Sequence, residues 1–411
     1  MSNYFFTLFI RILVAVSGFF VFIVSSKLFG AEGRGIIGYG TSLMSSIGLL
    51  LSFNLGRSFL LLTKKNLLLK KQKLPKFLTL HYLLISIAII ISFLFWFLNS
   101  HIKNIMDFNL FCTFVILIPF YLWSVNGSNI FATLDLTYKQ NIIIGIQRLA
   151  LIIFVIFALF FSLDTLIIFL LIYAVILTSG SLSEIISLGR PSRSNIKDSN
   201  FGYYIIQSKD VHIDYLCFHL FPFFLILIGG LILSLPDLGR LNFIFQMINF
   251  IFIASFVASL RIKTYIATKG SYESIELIKK LFLITLIISA LFIFFIYIVL
   301  SLDLFKIYFS SFGNLNIYFL ISSLSVPGFI AYQFMYPILI ENNLIHLSMK
   351  SNFVLSVFLI TLIYPVLNYY GFIGAVILFC IFYIVVLFLQ LYFYKKLTNL
   401  NIDNKKYEFN L

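Results

Sequence analysis

Long apolar runs dominate the chain, and short polar segments separate them. Twelve of these runs are about 20 residues long, enough for a helix to cross the ~30 Å hydrocarbon layer of a bilayer. Apolar and polar residues do not alternate within the runs, and an open sheet edge cannot face lipid, so strands are excluded. The pattern therefore predicts an all-α polytopic membrane protein with spans at about 4–28, 36–62, 77–98, 108–131, 142–162, 166–188, 214–234, 240–260, 281–301, 315–340, 351–368 and 371–394.

The composition excludes a water-soluble protein. Of the 411 residues, 61% are hydrophobic and 11% are charged, whereas a soluble domain carries about 25% charged residues. The formal net charge of +14 would suggest nucleic-acid binding in a soluble protein. In a membrane protein the same excess is expected in the cytoplasmic connections, so no nucleic-acid partner is predicted.

Lys and Arg are distributed unequally between the two sets of connections. If the N-terminus is cytoplasmic, the inside connections hold 21 of the 29 basic residues and the outside connections hold five. Because cytoplasmic loops carry this excess, both termini are predicted to lie inside. The outside connections are short, which argues against an enzyme with its site on the outer face, such as a glycan polymerase or ligase.

The longest connection divides the spans six and six. It contains the sequence GRPSRSNIKDSN and is predicted to be a cytoplasmic linker. The expected units are an N-terminal six-helix bundle (1–188), this linker (189–213), a C-terminal six-helix bundle (214–394) and a cytoplasmic tail (395–411).

The two bundles show signs of an internal repeat. A shift of 206 residues brings Gly33 and Arg34 onto Gly239 and Arg240, and Pro119 falls close to Pro327. Six spans is an even number, so both bundles have the same orientation and are related by an axis along the membrane normal. Transporters built from such parallel repeats enclose a central cleft. The architecture indicates a carrier with two pseudo-symmetric bundles.

Cofactor and metal chemistry have no sequence signal. The chain has no G-x-x-x-x-G-K-[ST] loop for a nucleotide. Cys112, Cys217 and Cys380 lie in separate apolar runs without metal-ligand spacing. Neither a cofactor, a metal nor a disulfide is predicted.

Three glycine-containing segments resemble those of a known transporter family. Residues 27–40 read KLFGAEGRGIIGYG, residues 53–57 read FNLGR, and residues 368–375 read NYYGFIGA. These segments resemble the "LG-x-E-x-x-G" element, the Gly-Leu-Gly-like segment and the "YG-x-x-GA" turn of polysaccharide flippases. That family comprises the O-antigen, or Wzx-type, flippases of the multidrug/oligosaccharidyl-lipid/polysaccharide exporter superfamily. The likeness in span number, division and linker covers essentially the whole chain.

The resemblance implies a flippase. It would move undecaprenyl-diphosphate-linked oligosaccharide units from the inner to the outer leaflet of the bacterial cytoplasmic membrane by alternating access, for O-antigen or capsule assembly. It also implies a glycan polymerase and a chain-length regulator as membrane partners. Two alternatives stay open: a multidrug or metabolite exporter of the same superfamily, and a membrane glycan polymerase or ligase.

Three arginines lie within predicted spans and are the candidate substrate-binding residues. Arg11, Arg57 and Arg148 each cost about 2.5–3.5 kcal/mol at a helix centre, so such charges are functional candidates. A guanidinium matches phosphate oxygens bidentately, and this suits the diphosphate that the resemblance implies. The alternative is that these long side chains extend to the membrane surface.

Three further polar residues within spans are candidates for lining the lumen or coupling transport to an ion. Asn54 shares a helix face with Arg57, and Glu184 lies among serines near an inner helix end. His219 lies within the seventh predicted span and could respond to protons. A structural role for His219 and a capping role for Glu184 are the competing interpretations.

The charge distribution generates the first testable expectation. A reporter fused after residue 70 or 200 should report the cytoplasm, and one fused after residue 103 or 306 should report the outside, because cytoplasmic connections retain the basic residues. Paired alkaline phosphatase and fluorescent protein fusions measure this. An inverted pattern would contradict the predicted orientation.

Overall fold

The computed structural model describes residues 2–57, 59, 67–189, 201–269, 271–342 and 344–408. These residues are helical apart from short turns and contain no strand, as predicted. Residues 190–200 of the predicted linker and 409–411 of the predicted tail lie outside the described residues. Residues 201–213, which the sequence assigned to the linker, are helical. The helices are α1 (Ser2–Ser52), α2 (Leu67–Leu98), α3 (Ser100–Ile105), α4 (Phe108–Val115), α5 (Ile118–Thr133), α6 (Thr137–Phe160), α7 (Leu166–Ser187), α8 (Phe201–Gly229), α9 (Leu235–Lys269), α10 (Ser271–Ser301), α11 (Asp303–Tyr308), α12 (Asn316–Ser323), α13 (Val326–Glu341) and α14 (Ile345–Glu408).

Glycine turns divide the first and last helices. The described residues contain ten segments long and apolar enough to cross a membrane, and two of them have 52 and 54 residues. A straight helix of that length would extend for more than twice the bilayer core. α1 is broken at Gly30 (φ 61°) and α14 at Gly371 (φ 55°), both in the left-handed region that favours glycine. Ten segments with two such breaks correspond to the twelve predicted spans.

Two of the spans contain the same interruption. α4 and α12 have eight residues each, and α5 and α13 have 16 each. Pro119 and Pro327 lie in the first turn of α5 and α13, where a missing N–H costs least. The sequence predicted each of these spans as one continuous helix. A proline within an apolar run does not by itself show whether the helix bends or ends there.

A side chain from another span satisfies a backbone carbonyl near each interruption. Thr178 Oγ1 donates to the Ile116 carbonyl oxygen at 2.5 Å, and Cys380 Sγ donates to the Ile321 carbonyl oxygen at 2.9 Å. Thr178 lies in α7 and Cys380 in the second part of α14, which are the last spans of the two predicted bundles. Polar backbone groups freed in a membrane require such partners.

The second part of α1 and α9 cross at the end of the bundle where Gly30 lies, which we call the glycine-turn end. A Cβ atom on Gly35 would collide with the Leu235 carbonyl oxygen, and one on Gly239 would collide with the Ala31 carbonyl oxygen. The two contacts are reciprocal, as in a local two-fold arrangement. Their spacing is close to the 206-residue shift expected from the sequence.

The outer surface is apolar, as a lipid-facing surface should be. Leu98, Phe160 and Tyr369 are each more than 80% exposed, and a soluble protein would not leave so many large apolar groups in water. Aromatic stacks fill the interior, including Phe218 on Tyr332 and Phe252 on Phe329, both with ring centroids 3.6 Å apart. The chain is a multi-pass membrane protein.

The glycine contact generates a stability test. Gly35→Ala should lower the melting temperature by several degrees, because the new methyl group forces two backbones apart and overpacking costs about 1–3 kcal/mol. Gly18→Ala is the matched control, since a Cβ there meets nothing within 4 Å and alanine favours the helix. Thermal unfolding of the purified protein in detergent measures both. Equal melting temperatures for the two variants would contradict the close packing.

Candidate functional site

Glu184 is the centre of a polar cluster inside the N-terminal half. The side chain is 6% exposed on α7. Its Oε2 accepts hydrogen bonds from Trp123 Nε1 of α5 and Gln140 Nε2 of α6, both at 2.9 Å. The two donors are neutral, so they orient the carboxylate without cancelling its charge. The sequence placed Glu184 near a helix end, and the structure makes it a buried acceptor between three helices.

Two of the three candidate arginines interact with this carboxylate through their charge. Arg11 of α1 and Arg148 of α6 both interact electrostatically with Glu184 and with each other. Neither forms an ion pair with Glu184 within 4 Å, and Arg148 Nε is buried without a hydrogen-bond partner. Two guanidinium groups near one carboxylate leave one positive charge in excess. We call these five residues (Arg11, Trp123, Gln140, Arg148 and Glu184) the Glu184 cluster.

The second part of α1 is interrupted just before Arg57. The helix ends at Ser52, and Phe53 and Asn54 follow with φ of 45° and 47°. The sequence predicted an unbroken span over 36–62, which the structure corrects. Asn126 of α5 bridges the gap, since its Oδ1 accepts from Gly56 N at 2.8 Å and its Nδ2 donates to the Ser52 carbonyl oxygen at 3.3 Å. This buried amide replaces the lost helical hydrogen bonds.

Asn54 and Arg57 consequently face the C-terminal half. The Asn54 side chain lies near the phenol of Tyr336 on α13, and Arg57 interacts with the same phenol electrostatically. This contact lies at the end of the bundle opposite the glycine turn, which we call the linker end. Arg57 thus has a different electrostatic partner from the carboxylate that Arg11 and Arg148 share.

A second buried carboxylate lies in the C-terminal half. Asp214 of α8 is 0% exposed. It accepts hydrogen bonds from Tyr332 Oη at 2.9 Å, from Ser348 Oγ at 2.8 Å and from Asn352 Nδ2 at 2.8 Å. The sequence analysis did not select Asp214. The sequence could have identified Asp214, because an acidic residue inside a span is a functional candidate by the same argument as an arginine.

His219 lies beside the Asp214 group and is enclosed by aromatic rings. Its ring centroid is 4.1 Å from that of Tyr215 and 6.5 Å from that of Tyr332. Tyr332 is the residue that donates to Asp214. His219 therefore packs against a residue that binds the buried Asp214 carboxylate, without a direct hydrogen bond to Asp214 being shown.

Arg34 closes the glycine-turn end between the halves. The sequence analysis counted it with the outside connections, but it lies in the second part of α1 and is 5% exposed. It donates to Ser25 Oγ at 3.1 Å and to Asn242 Oδ1 of α9, and its guanidinium lies 4.9 Å from the centroid of the Phe22 ring. The helix begins earlier than predicted because the turn occupies only Gly30.

A further contact between the halves at this end involves His101. Its Nε2 lies 2.6 Å from the Gly230 carbonyl oxygen. Together with the Arg34 and glycine contacts, it joins the two halves at the glycine-turn end. The Glu184 cluster therefore lies in a bundle whose halves are joined at that end.

No family model and no curated protein sequence matches the chain, but solved structures do. It superposes on the lipid II flippase MurJ in an inward closed conformation with a TM-score of 0.70 and 15% identity, over 96% of this chain and 87% of that one. It also superposes on an inward-facing multidrug resistance transporter of the MATE family in the MOP superfamily. That TM-score is 0.56 at 14% identity, over 96% of this chain and 99% of the other.

At these identities the likeness establishes the fold. The chain has the fold that these two structures share. This confirms the predicted all-α architecture with about 10–12 membrane-spanning helices. One of the similar proteins is named a flippase and the other a transporter.

The Glu184 cluster can be tested by a double-mutant cycle. Glu184→Gln should lower the melting temperature, because it removes the negative charge between two guanidinium groups. Adding Arg148→Gln should restore part of the loss, with a coupling of about 0.5–3 kcal/mol for groups in one network. The measurement is thermal unfolding of both single variants and the double variant in detergent. Strictly additive losses would show that the two charges do not interact.

Proposed function

We propose that this chain is a flippase for a lipid-linked oligosaccharide, with an undecaprenyl diphosphate as the lipid anchor. The observation that carries the proposal is the excess positive charge of the Glu184 cluster. Arg11 and Arg148 are half-buried and share one carboxylate, whose direct partners are neutral. A cation inside a membrane protein is costly unless it meets an anion, and a diphosphate supplies one.

The proposed binding geometry uses the fork shape of the guanidinium. Arg11 and Arg148 would each donate two N–H groups to phosphate oxygens, while the charge of Glu184 would attract both guanidinium groups. Glu184 also prevents the cluster from binding anions too tightly for release. Arg57 would act separately at the linker end, where Asn54 and Tyr336 join the two halves.

The fold supports the same assignment. A similar structure belongs to a protein named a lipid II flippase, and this chain covers 87% of its length. Under the orientation expected from the basic residues, the substrate would move from the inner to the outer leaflet of the bacterial cytoplasmic membrane. O-antigen or capsule assembly would use the product, with a glycan polymerase and a chain-length regulator as partners.

A multidrug exporter is the second candidate function, and Asp214 favours it. Its carboxylate is fully buried and is held by three neutral donors, an arrangement that suits a cationic substrate or coupling ion. The similar MATE family structure supports this reading at the level of the fold. We prefer the flippase because the Glu184 cluster contains two arginines and one carboxylate.

Rescue of surface glycan in a flippase-deficient strain tests the proposal. Arg11→Ala and Arg148→Ala should each reduce full-length glycan at least tenfold, and lysine at either position should retain part of the activity because it keeps the charge without the fork. Lys139→Ala is the matched control. Lys139 lies on α6 with Arg148, but it is exposed and donates to the Ser187 carbonyl oxygen at 2.8 Å.

Membrane levels of every variant are measured in parallel. Wild-type amounts of glycan from both alanine variants would place the diphosphate site elsewhere. If the wild-type chain fails to rescue glycan but confers resistance to cationic dyes, and Asp214→Asn removes that resistance, the exporter is the correct assignment.

A further inference from the structure

An apolar groove opens at the glycine-turn end, between the first part of α1 and the segment that joins α10 to α11. Its volume is about 360 Å³. The walls are apolar or aromatic and include Ile23 from α1, Val299 from α10 and Phe305 from α11. The groove therefore lies between the N-terminal and C-terminal halves.

Lys27 is the charged residue in the lining of this groove. Its side chain is exposed, and its Nζ lies 5.0 Å from the centroid of the Tyr308 ring, a cation–π distance. Within the described residues the ion pairs are Arg240 with Asp237 and Lys306 with Asp303. Lys27 belongs to neither pair, so its charge is available to a ligand.

The position of the groove relative to the bilayer follows from its neighbours. Lys27 lies three residues before the turn at Gly30, so it is near the membrane surface. On α11 the exposed ion pair of Asp303 and Lys306 marks the water-facing side, while Ile307 and Tyr308 are 72% and 57% exposed. An apolar chain in the groove would thus have its polar head beside Lys27.

We propose that this groove binds an anionic phospholipid, with one acyl chain against the apolar walls and the phosphate paired with Lys27. A zwitterionic lipid would fill the apolar walls equally well, but the cation in its head group would offset the attraction of its phosphate to Lys27, so the charge favours an anionic head group. This inference is independent of the proposed transport function.

The bound lipid would favour the arrangement in which the glycine-turn end is closed. Its acyl chain would touch α1 on one side and α10 and α11 on the other. Directly behind the groove, Phe22 packs on Phe243 with centroids 4.7 Å apart, and Ser311 Oγ accepts from Ala31 N at 3.2 Å. A chain that contacts both walls adds to these contacts between the halves.

Lipid titration of the full chain tests the site. Delipidated protein in detergent is titrated with phosphatidylglycerol or with phosphatidylcholine of the same chain length, and bound lipid is counted by native mass spectrometry. The wild type should bind phosphatidylglycerol more tightly. Lys27→Gln should weaken that binding about fivefold, as expected for the loss of one basic residue at an anionic surface. It should weaken phosphatidylcholine binding less, because the choline cation already offsets the charge of its phosphate.

Lys306→Gln is the matched control, because it removes the same charge from α11 at a residue that pairs with Asp303 and does not line the groove. Ile23→Trp tests the apolar part and should weaken the binding of both lipids. The proposal is wrong if Lys27→Gln retains wild-type preference for phosphatidylglycerol, or if Lys306→Gln loses as much of it. It is also wrong if six-carbon phosphatidylglycerol binds the wild type as tightly as the long-chain lipid.

Discussion

The bilayer offers no water to hydrogen-bond the backbone, and the rest of this structure depends on that constraint. Three interruptions of the membrane-spanning helices have an identifiable hydrogen-bond partner on another helix, and the two glycine turns lie at bundle ends. Asn126 bridges the interruption after Ser52. Thr178 and Cys380 donate to carbonyl oxygens near the two broken spans. The left-handed turns at Gly30 and Gly371 are placed where the chain reverses direction.

The same solvent sets the arrangement of charge. Glu184 and Asp214 are both buried, and neutral amide, indole, phenol and hydroxyl donors hold both of them. A carboxylate held in this way keeps its electrostatic field, which extends to Arg11 and Arg148 in one half. The two halves therefore have opposite polarity: the N-terminal interior combines one acid with two bases, and the C-terminal interior has an acid with neutral partners. This difference is the physical basis for assigning the anionic part of a substrate to the N-terminal half.

Much of the architecture could be predicted from the sequence, since span length and hydropathy are local properties. The apolar runs gave the twelve spans, and the glycine motifs marked the two turns within α1 and α14. Long-range contacts were inaccessible. No local pattern shows that Asn126 closes a gap in another helix, or that Arg34 reaches Asn242 on α9. Arg11 and Arg148 were identified because charge is rare in a span, but their shared carboxylate required the tertiary structure.

The reciprocal contact of Gly35 and Gly239 has a consequence for how the two halves diverge in sequence. A residue close to a local two-fold axis contacts its own counterpart in the other half. A larger side chain at such a position in one half therefore collides directly with the other half. Residues away from the axis meet different neighbours in each half and can change separately, as the interrupted second part of α1 and the continuous α9 show. A duplicated chain can thus lose nearly all of its internal identity and still retain a pair of small residues at the point where its two copies touch.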